Sequence, residues 1–169
     1  SPLPGVCGRV CPHPCEKECN RGKYDEAMSI HTLERLVADY AISEKVTEKS
    51  KAAPKKEKIA IVGSGPAGLS CAYFLSLLGY PVTLFEAQKE PGGVMGWGIP
   101  EYRLPKSILR KEIQRMLSLP IEMRTGVKVG KDIPLDELNQ FDAIFLSPGA
   151  EMNALLSIKG ENLERVWKG

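Results

Sequence analysis

Two groups of residues in this 169-residue chain have the types and spacing of a chemical site. The first is Cys7-Gly-Arg-Val-Cys11-Pro-His-Pro-Cys15-Glu-Lys-Glu-Cys19, which holds four of the five cysteines. A continuous helix would align these thiols, but Gly8, Pro12 and Pro14 oppose one. The expectation is an irregular loop closing on a metal, with one helical turn from Cys15 to Cys19. Thiolates are the usual ligands of iron–sulfur clusters and of structural zinc. A Cys-Pro step suits a cluster loop, whereas zinc sites usually pair cysteines as CxxC in two separated halves. An iron–sulfur cluster therefore ranks ahead of zinc, and zinc ahead of disulfides or free thiols. His13, between two prolines, reads as a solvent-facing loop residue before it reads as a ligand.

The second group is Gly63-Ser-Gly65-Pro-Ala-Gly68, preceded by Ile59-Ala-Ile-Val62 and followed by an apolar run to Tyr80. After that comes Pro81-Val-Thr-Leu-Phe-Glu86. Strand, glycine turn, helix, second strand and acidic residue together form a dinucleotide fingerprint. Gly63 allows the tight turn, Gly65 lets backbone approach a pyrophosphate, and Gly68 lets the helix pack on the strand. The helix N-terminus offers amides and a positive dipole end to phosphates, and Glu86 is placed to accept hydrogen bonds from ribose hydroxyls.

The elements that must position these groups follow from periodicity. Residues 26–41 read as an amphipathic helix with Ile30, Leu33, Val37 and Tyr40 on one face. Glu34 lies at its edge as a solvated carboxylate, and His31 reads as a plain surface residue. Residues 44–57 carry five lysines and three glutamates with little to bury, the composition of a solvated linker. Three units result: 1–43, cysteine-rich and helical; 44–57, linker; and 58–169, a nucleotide unit. In the last, a helix is expected from Lys106 to Leu117, with Ile108, Leu109, Ile113, Met116 and Leu117 towards the core. Strands are expected at 121–124, 127–129 and 142–147, the last buried, with a helical turn at 136–138. Alternating strands and helices make this an α/β fold, a partial Rossmann-like parallel sheet with helices on both faces. Gly149 follows a strand and so belongs at the same edge as Gly63. Cys71, in the helix after the glycine turn, reads as a core thiol, and Trp97 as either a flavin cover or a packing aromatic.

Charged residues at 26% and a net charge of +2 suit a globular protein and point to neither nucleic acid nor a membrane surface. The apolar stretches are well short of the ~20 residues of a membrane span. Nothing suggests export, so a reducing, cytoplasmic compartment is expected. The chain opens on Ser1 without an initiator methionine and reads as a piece of a longer protein.

These motifs, with Phe85-Glu-Ala, Pro91-Gly-Gly, Gly98-Ile-Pro-Glu-Tyr-Arg-Leu-Pro105, the Asp142–Ala150 strand and Gly160-Glu-Asn-Leu163, carry a family resemblance. The chain resembles the small (β) subunit of glutamate synthase, with the N-terminal part of dihydropyrimidine dehydrogenase and other NAD(P)H-linked flavin/iron–sulfur oxidoreductases. The resemblance implies FAD, held at Gly63, Gly65, Pro66, Ala67 and Gly68, with Glu86 on the adenosine ribose and Gly93, Val94, Arg103 and Val129 along the cofactor. It implies a [4Fe-4S] cluster on Cys11, Cys15, Cys19 and Glu34, with Cys7 at a position that is not usually a ligand. It also implies NAD(P)H binding on a domain absent here, and electrons leaving to a partner subunit. The gap between Cys11 and Cys15 is shorter than is usual in that family, and Pro148 stands where Thr is usual. No general acid, base or nucleophile stands out, which suits chemistry carried by a cofactor. Two other readings are a zinc-stapled nucleotide-binding module and an NAD-binding dehydrogenase domain.

Overall fold

A computed structural model describes residues 1–150 and residue 164. The Gly160–Leu163 motif lies outside the described residues. The chain opens with two short helices, α1 (Pro4–Val10) and α2 (Pro14–Lys17), and a 3-10 turn at Asn20–Lys23. Helix α3 (Ile30–Ser43) follows. The nucleotide unit then runs β1 (Ile59–Val62), α4 (Pro66–Leu77), β2 (Val82–Glu86), α5 (Val94–Trp97), α6 (Lys106–Met116) and β3 (Ile121–Thr125). A 3-10 turn at Leu135–Gln140 leads into β4 (Ala143–Leu146).

The four strands form one parallel sheet in the order β3-β2-β1-β4. The chain leaves β1 to one side for β2 and β3, then returns to its other side for β4. The strand order therefore reverses between β1 and β4, and ligands of open α/β sheets bind at the carboxyl ends flanking such a switch point. Strand β2 is buried along its whole length, as a central parallel strand covered on both faces must be.

Cys7 sits inside a helix rather than the expected loop. Gly8 does not break α1, because a side chain there would meet Arg35 of α3 at 2.7 Å, so the glycine lets the two helices close on one another. The expected break does occur at Cys11-Pro12-His13, where His13 takes a left-handed backbone (φ 42°) and turns the chain into α2.

Two further expectations are corrected, and the amphipathic helix turns its apolar face to solvent. Residues 127–129 form no strand; Val129 makes only an isolated bridge to Ile133, since Gly126 and Gly130 turn the chain on either side. Strand β4 is exposed rather than buried, with Phe145 39% and Leu146 63% accessible, because it is the sheet's edge. The apolar face of α3 turns outward: Ile30, Leu33, Val37 and Tyr40 are exposed, and Ala38 is the buried residue of that helix.

Residues 44–57 contain no helix or strand, yet they are pinned. Glu48 pairs with Arg115, its amide donates to the Ser118 hydroxyl oxygen at 3.1 Å, and the Lys55 amide donates to the Gly79 carbonyl at 2.9 Å. Nor does the cysteine-rich unit stand apart in packing. Leu3 and Val6 join Ile61, Leu69, Leu84, Leu104 and Met116 in one core. Burying each such side chain contributes about 1.5–3 kcal/mol, so the first turn of α1 is held by the nucleotide unit's own core.

Candidate functional site

The glycine turn occupies the carboxyl end of β1, at the switch point. Gly63 has φ +96°, a backbone open to glycine, and a side chain there would overlap the Ser147 carbonyl at the end of β4. Gly68 is equally constrained, since a Cβ would overlap the Gly63 carbonyl, which is the close helix-on-strand packing the fingerprint requires. Gly65 differs. Nothing lies within 4 Å of a Cβ built there, so its missing side chain leaves open space over the turn. Helix α4 starts at Pro66, and no side chain caps it. The first-turn amides of Ala67 and Gly68 have no intrahelical acceptors, which leaves them to face an anion.

Ser64 connects the turn to its neighbours. It is fully buried. Its amide donates to Glu86 Oε2 at 2.8 Å, its hydroxyl donates to the same oxygen, and its Oγ accepts from the Gly92 amide at 3.2 Å. Glu86 Oε1 accepts from the Gln88 amide at 2.8 Å. The carboxylate is thus fixed at the carboxyl end of β2, with lone pairs left for ribose hydroxyls. Sequence reasoning passed over Ser64; the signal was a lone hydroxyl residue inside a run of glycines.

The cleft at this edge is lined by Gly63, Gly65, Pro66, Glu86, Gly93, Val94, Trp97, Val129 and Gly149. The fingerprint, the Pro91-Gly-Gly turn and the post-β4 loop are therefore brought together. Gly93 (φ +54°) closes on the first turn, since a Cβ there would meet Gly65 Cα at 2.9 Å. Trp97 lies on the rim, 67% exposed.

Arg103 is not among the residues lining that cleft; it flanks a separate depression with Arg9 and Arg35. The local turn explains this. The Arg103 and Leu104 amides both bond the Pro100 carbonyl at 3.0 Å, and Leu104 is driven fully into the core, which leaves Arg103 outside. Glu101 caps α6 through the Lys106 amide, and the Lys106 ammonium bonds the Met95 and Ile99 carbonyls. In this structure the segment from Gly98 to Pro105 seats α5 and α6.

At the cysteine-rich end, Cys7, Cys11 and Cys19 are part-buried and Cys15 is exposed, all four as free thiols. Burial pushes the Cys7 thiol up, helped by the nearby Glu34 carboxylate and Cys11. Cys19 is held below the usual thiol range by backbone hydrogen bonds, first from Met28 and then from Arg21. Thiols are the donors that iron–sulfur clusters take, but among the described residues the ligand atoms of Cys11, Cys15, Cys19 and Glu34 are not gathered into one metal-sized group.

His31 and His13 are less plain than their sequence suggests. The Glu16 carboxylate accepts from the His31 amide at 2.9 Å and contacts its ring Nδ1 at 2.6 Å, while the two imidazoles stack at 4.1 Å. Ligand atoms of His13, Glu16 and His31 lie within 4.8 Å of one another. The rings are within 12° of parallel, so their in-plane lone pairs do not converge on one ion. The group acts as a clamp, capping the start of α3 from the cysteine loop.

Comparison with known proteins matches both halves of this arrangement. Residues 1–46 match the model of dihydropyrimidine dehydrogenase domain II, 4Fe-4S cluster, and residues 61–105 that of an NAD(P)-binding Rossmann-like domain. The chain is 46% identical, over 99% of its length and 25% of the relative's, to the NADPH-Fe(3+) oxidoreductase subunit beta of Geobacter sulfurreducens. It is 40% identical, over 97% of its length and 34% of the relative's, to the glutamate synthase [NADPH] small chain of Bacillus subtilis. The chain is similar to glutamate synthase small chains and to NADPH-linked oxidoreductase beta subunits.

It spans about a quarter to a third of the length of these relatives. Among solved structures, Mycobacterium tuberculosis FprA in complex with NADPH superimposes with a TM-score of 0.56 at 25% identity, over 64% of this chain and 26% of that one. The two matched regions fall on the cysteine-rich end and on the glycine turn described above. Among the described residues no helix is long and apolar enough to cross a membrane.

Proposed function

We propose that this chain is the flavin- and cluster-bearing portion of a cytoplasmic oxidoreductase subunit that takes hydride from NAD(P)H and passes electrons to a partner subunit. The observation that carries the reading is the open, uncapped start of α4 at Gly65, in a chain that aligns end to end with NADPH-linked relatives. Bound there, FAD would supply a two-electron acceptor for hydride that can give electrons up one at a time, as a [4Fe-4S] cluster requires.

The chain's own residues bind and orient. Amides of Ala67 and Gly68 hold the pyrophosphate where Gly65 leaves room. Glu86, fixed by Ser64, takes the ribose hydroxyls. Gly93, Val94, Val129 and Gly149 shape the cleft beyond, and Cys11, Cys15, Cys19 and Glu34 hold iron. NAD(P)H is assigned to a second dinucleotide unit outside these residues, because the sequence holds one glycine turn of this kind. A second reading, NAD(P)H itself in the cleft, is favoured by the family description of residues 61–105. Titrating the protein with FAD and, separately, with NADPH decides between them. FAD binding, even if weak, without NADPH binding is expected, and NADPH binding without FAD binding would reverse the assignment.

A further inference from the structure

Helix α6 touches both sites without belonging to either. One side packs on the cleft: a Cβ at Gly92 would meet Leu109 Cδ2 at 3.0 Å and Ile113 Cδ1 at 3.7 Å, so these two side chains back the Gly92–Gly93 turn. Between them in sequence and on the same buried stripe, Glu112, 1% exposed, reaches the start of α1. Its Oε1 accepts the Gly5 amide at 2.6 Å and its Oε2 the Val6 amide at 2.8 Å. These are first-turn amides, and no residue of α1's own end caps them. Gly5 has no side chain because a Cβ there would lie 3.0 Å from the Glu112 carboxyl carbon. Arg9, one turn along, donates to the Gly5 carbonyl at 3.0 Å, and Arg115 donates to the Pro2 carbonyl at 2.8 Å.

We infer that Glu112 is a positioning residue for electron transfer: by capping α1 from α6 it fixes the cysteines at and beyond α1 relative to the nucleotide cleft. The geometry is suited to that task. Both oxygens of one buried carboxylate grip adjacent amides, which sets the direction of α1 as well as its contact. Cys7 follows the second of those amides directly, and Cys11 closes the helix with its amide on the Cys7 carbonyl at 3.0 Å. The same helix that backs the Gly92–Gly93 turn thus holds the first cysteines. Hydrophobic packing of Leu3 and Val6 supplies affinity but little orientation, whereas the bidentate cap supplies orientation. A helix freed to pivot would move the cysteines while leaving the cleft intact.

This inference rests on the flavin-to-cluster reading above, so the experiment separates the two. Glu112→Gln and Glu112→Ala are made in the full-length subunit, and two quantities are read. The first is amide hydrogen exchange of residues 5–10 in the cofactor-free protein, expected to accelerate in Glu112→Ala and less in Glu112→Gln, whose single carbonyl oxygen keeps one acceptor. The second is stopped-flow kinetics of the loaded protein. Flavin reduction by NADPH should keep its wild-type rate while flavin-to-cluster transfer slows several-fold. Faster exchange with wild-type transfer would overturn the positioning role. A wild-type subunit without such transfer would overturn the electron-transfer reading, and wild-type exchange in both variants would show that Glu112 does not hold α1.

Discussion

Ser64 donates to Glu86 twice, through its amide at 2.8 Å and through its hydroxyl, and so ties the glycine turn after β1 to the end of β2. The two residues are 22 apart in sequence, and both are buried. The carboxylate therefore meets a ligand already oriented, and its desolvation is offset in the empty protein as well as in the loaded one.

That relationship separates two substitutions. Ser64→Ala removes one donor from a buried carboxylate and should destabilise the fold by about 1–3 kcal/mol in urea denaturation. Glu86→Gln should cost stability on a similar scale, because its NH2 meets an amide donor, and should in addition weaken FAD binding by removing an acceptor. Equal losses of FAD affinity in both variants would show that Glu86 acts only through the fold.

The glycines of the fingerprint should not behave alike. At Gly65 the backbone is ordinary (φ −66°) and the space is open, so Gly65→Ala should fold with near wild-type stability and lose nucleotide binding. At Gly68 a methyl would overlap the Gly63 carbonyl, and Gly68→Ala should destabilise by roughly 1–3 kcal/mol, the usual cost of overpacking. Thermal denaturation with and without FAD reads both effects.

At the cysteine-rich end Gly8→Ala should part α1 from α3, where a methyl would stand 2.7 Å from Arg35. Cluster incorporation should fall while FAD binding stays. Loss of both together would mean that the two sites cannot be disturbed separately.

Glu112 gives a pH dependence of definite sign. Burial raises its carboxyl above the usual range, outweighing the amides of Gly5 and Val6 and the charge of Arg115. Between the unfolded value, ~4.3, and the raised folded one, the folded state holds the extra proton, so stability falls as pH rises through that window. Glu112→Gln should remove this slope. Urea denaturation of the two proteins from acid to neutral pH should therefore diverge, with the wild type losing stability relative to the variant as pH rises.

The β1–α4–β2 unit was legible in the sequence because its signals are local: four apolar residues, three glycines, an apolar helix and a strand ending in Glu86. Helix α6 was legible from its period, with Leu109, Ile113 and Met116 buried as expected, although Leu117 stays 38% exposed. What the sequence hid depends on distant partners. Glu112 looks like any surface glutamate until Gly5, 107 residues away, is folded against it. Glu16 looks like any acidic residue between cysteines until His31 meets it across the clamp. Strand β4 has the apolar composition of a buried strand, but composition does not reveal that its position is a sheet edge. The outward turn of α3's apolar face is hidden for the same reason, since periodicity identifies an apolar face without saying what covers it.

The most direct test of the account is anaerobic reconstitution of the protein with iron, sulfide and FAD, followed by its visible spectrum and metal content. The account predicts flavin bands with a broad cluster absorption beside them, and loss of the cluster absorption alone in Cys11→Ser, Cys15→Ser and Cys19→Ser. Stoichiometric zinc with no cluster absorption, in a protein that binds no FAD, would contradict it.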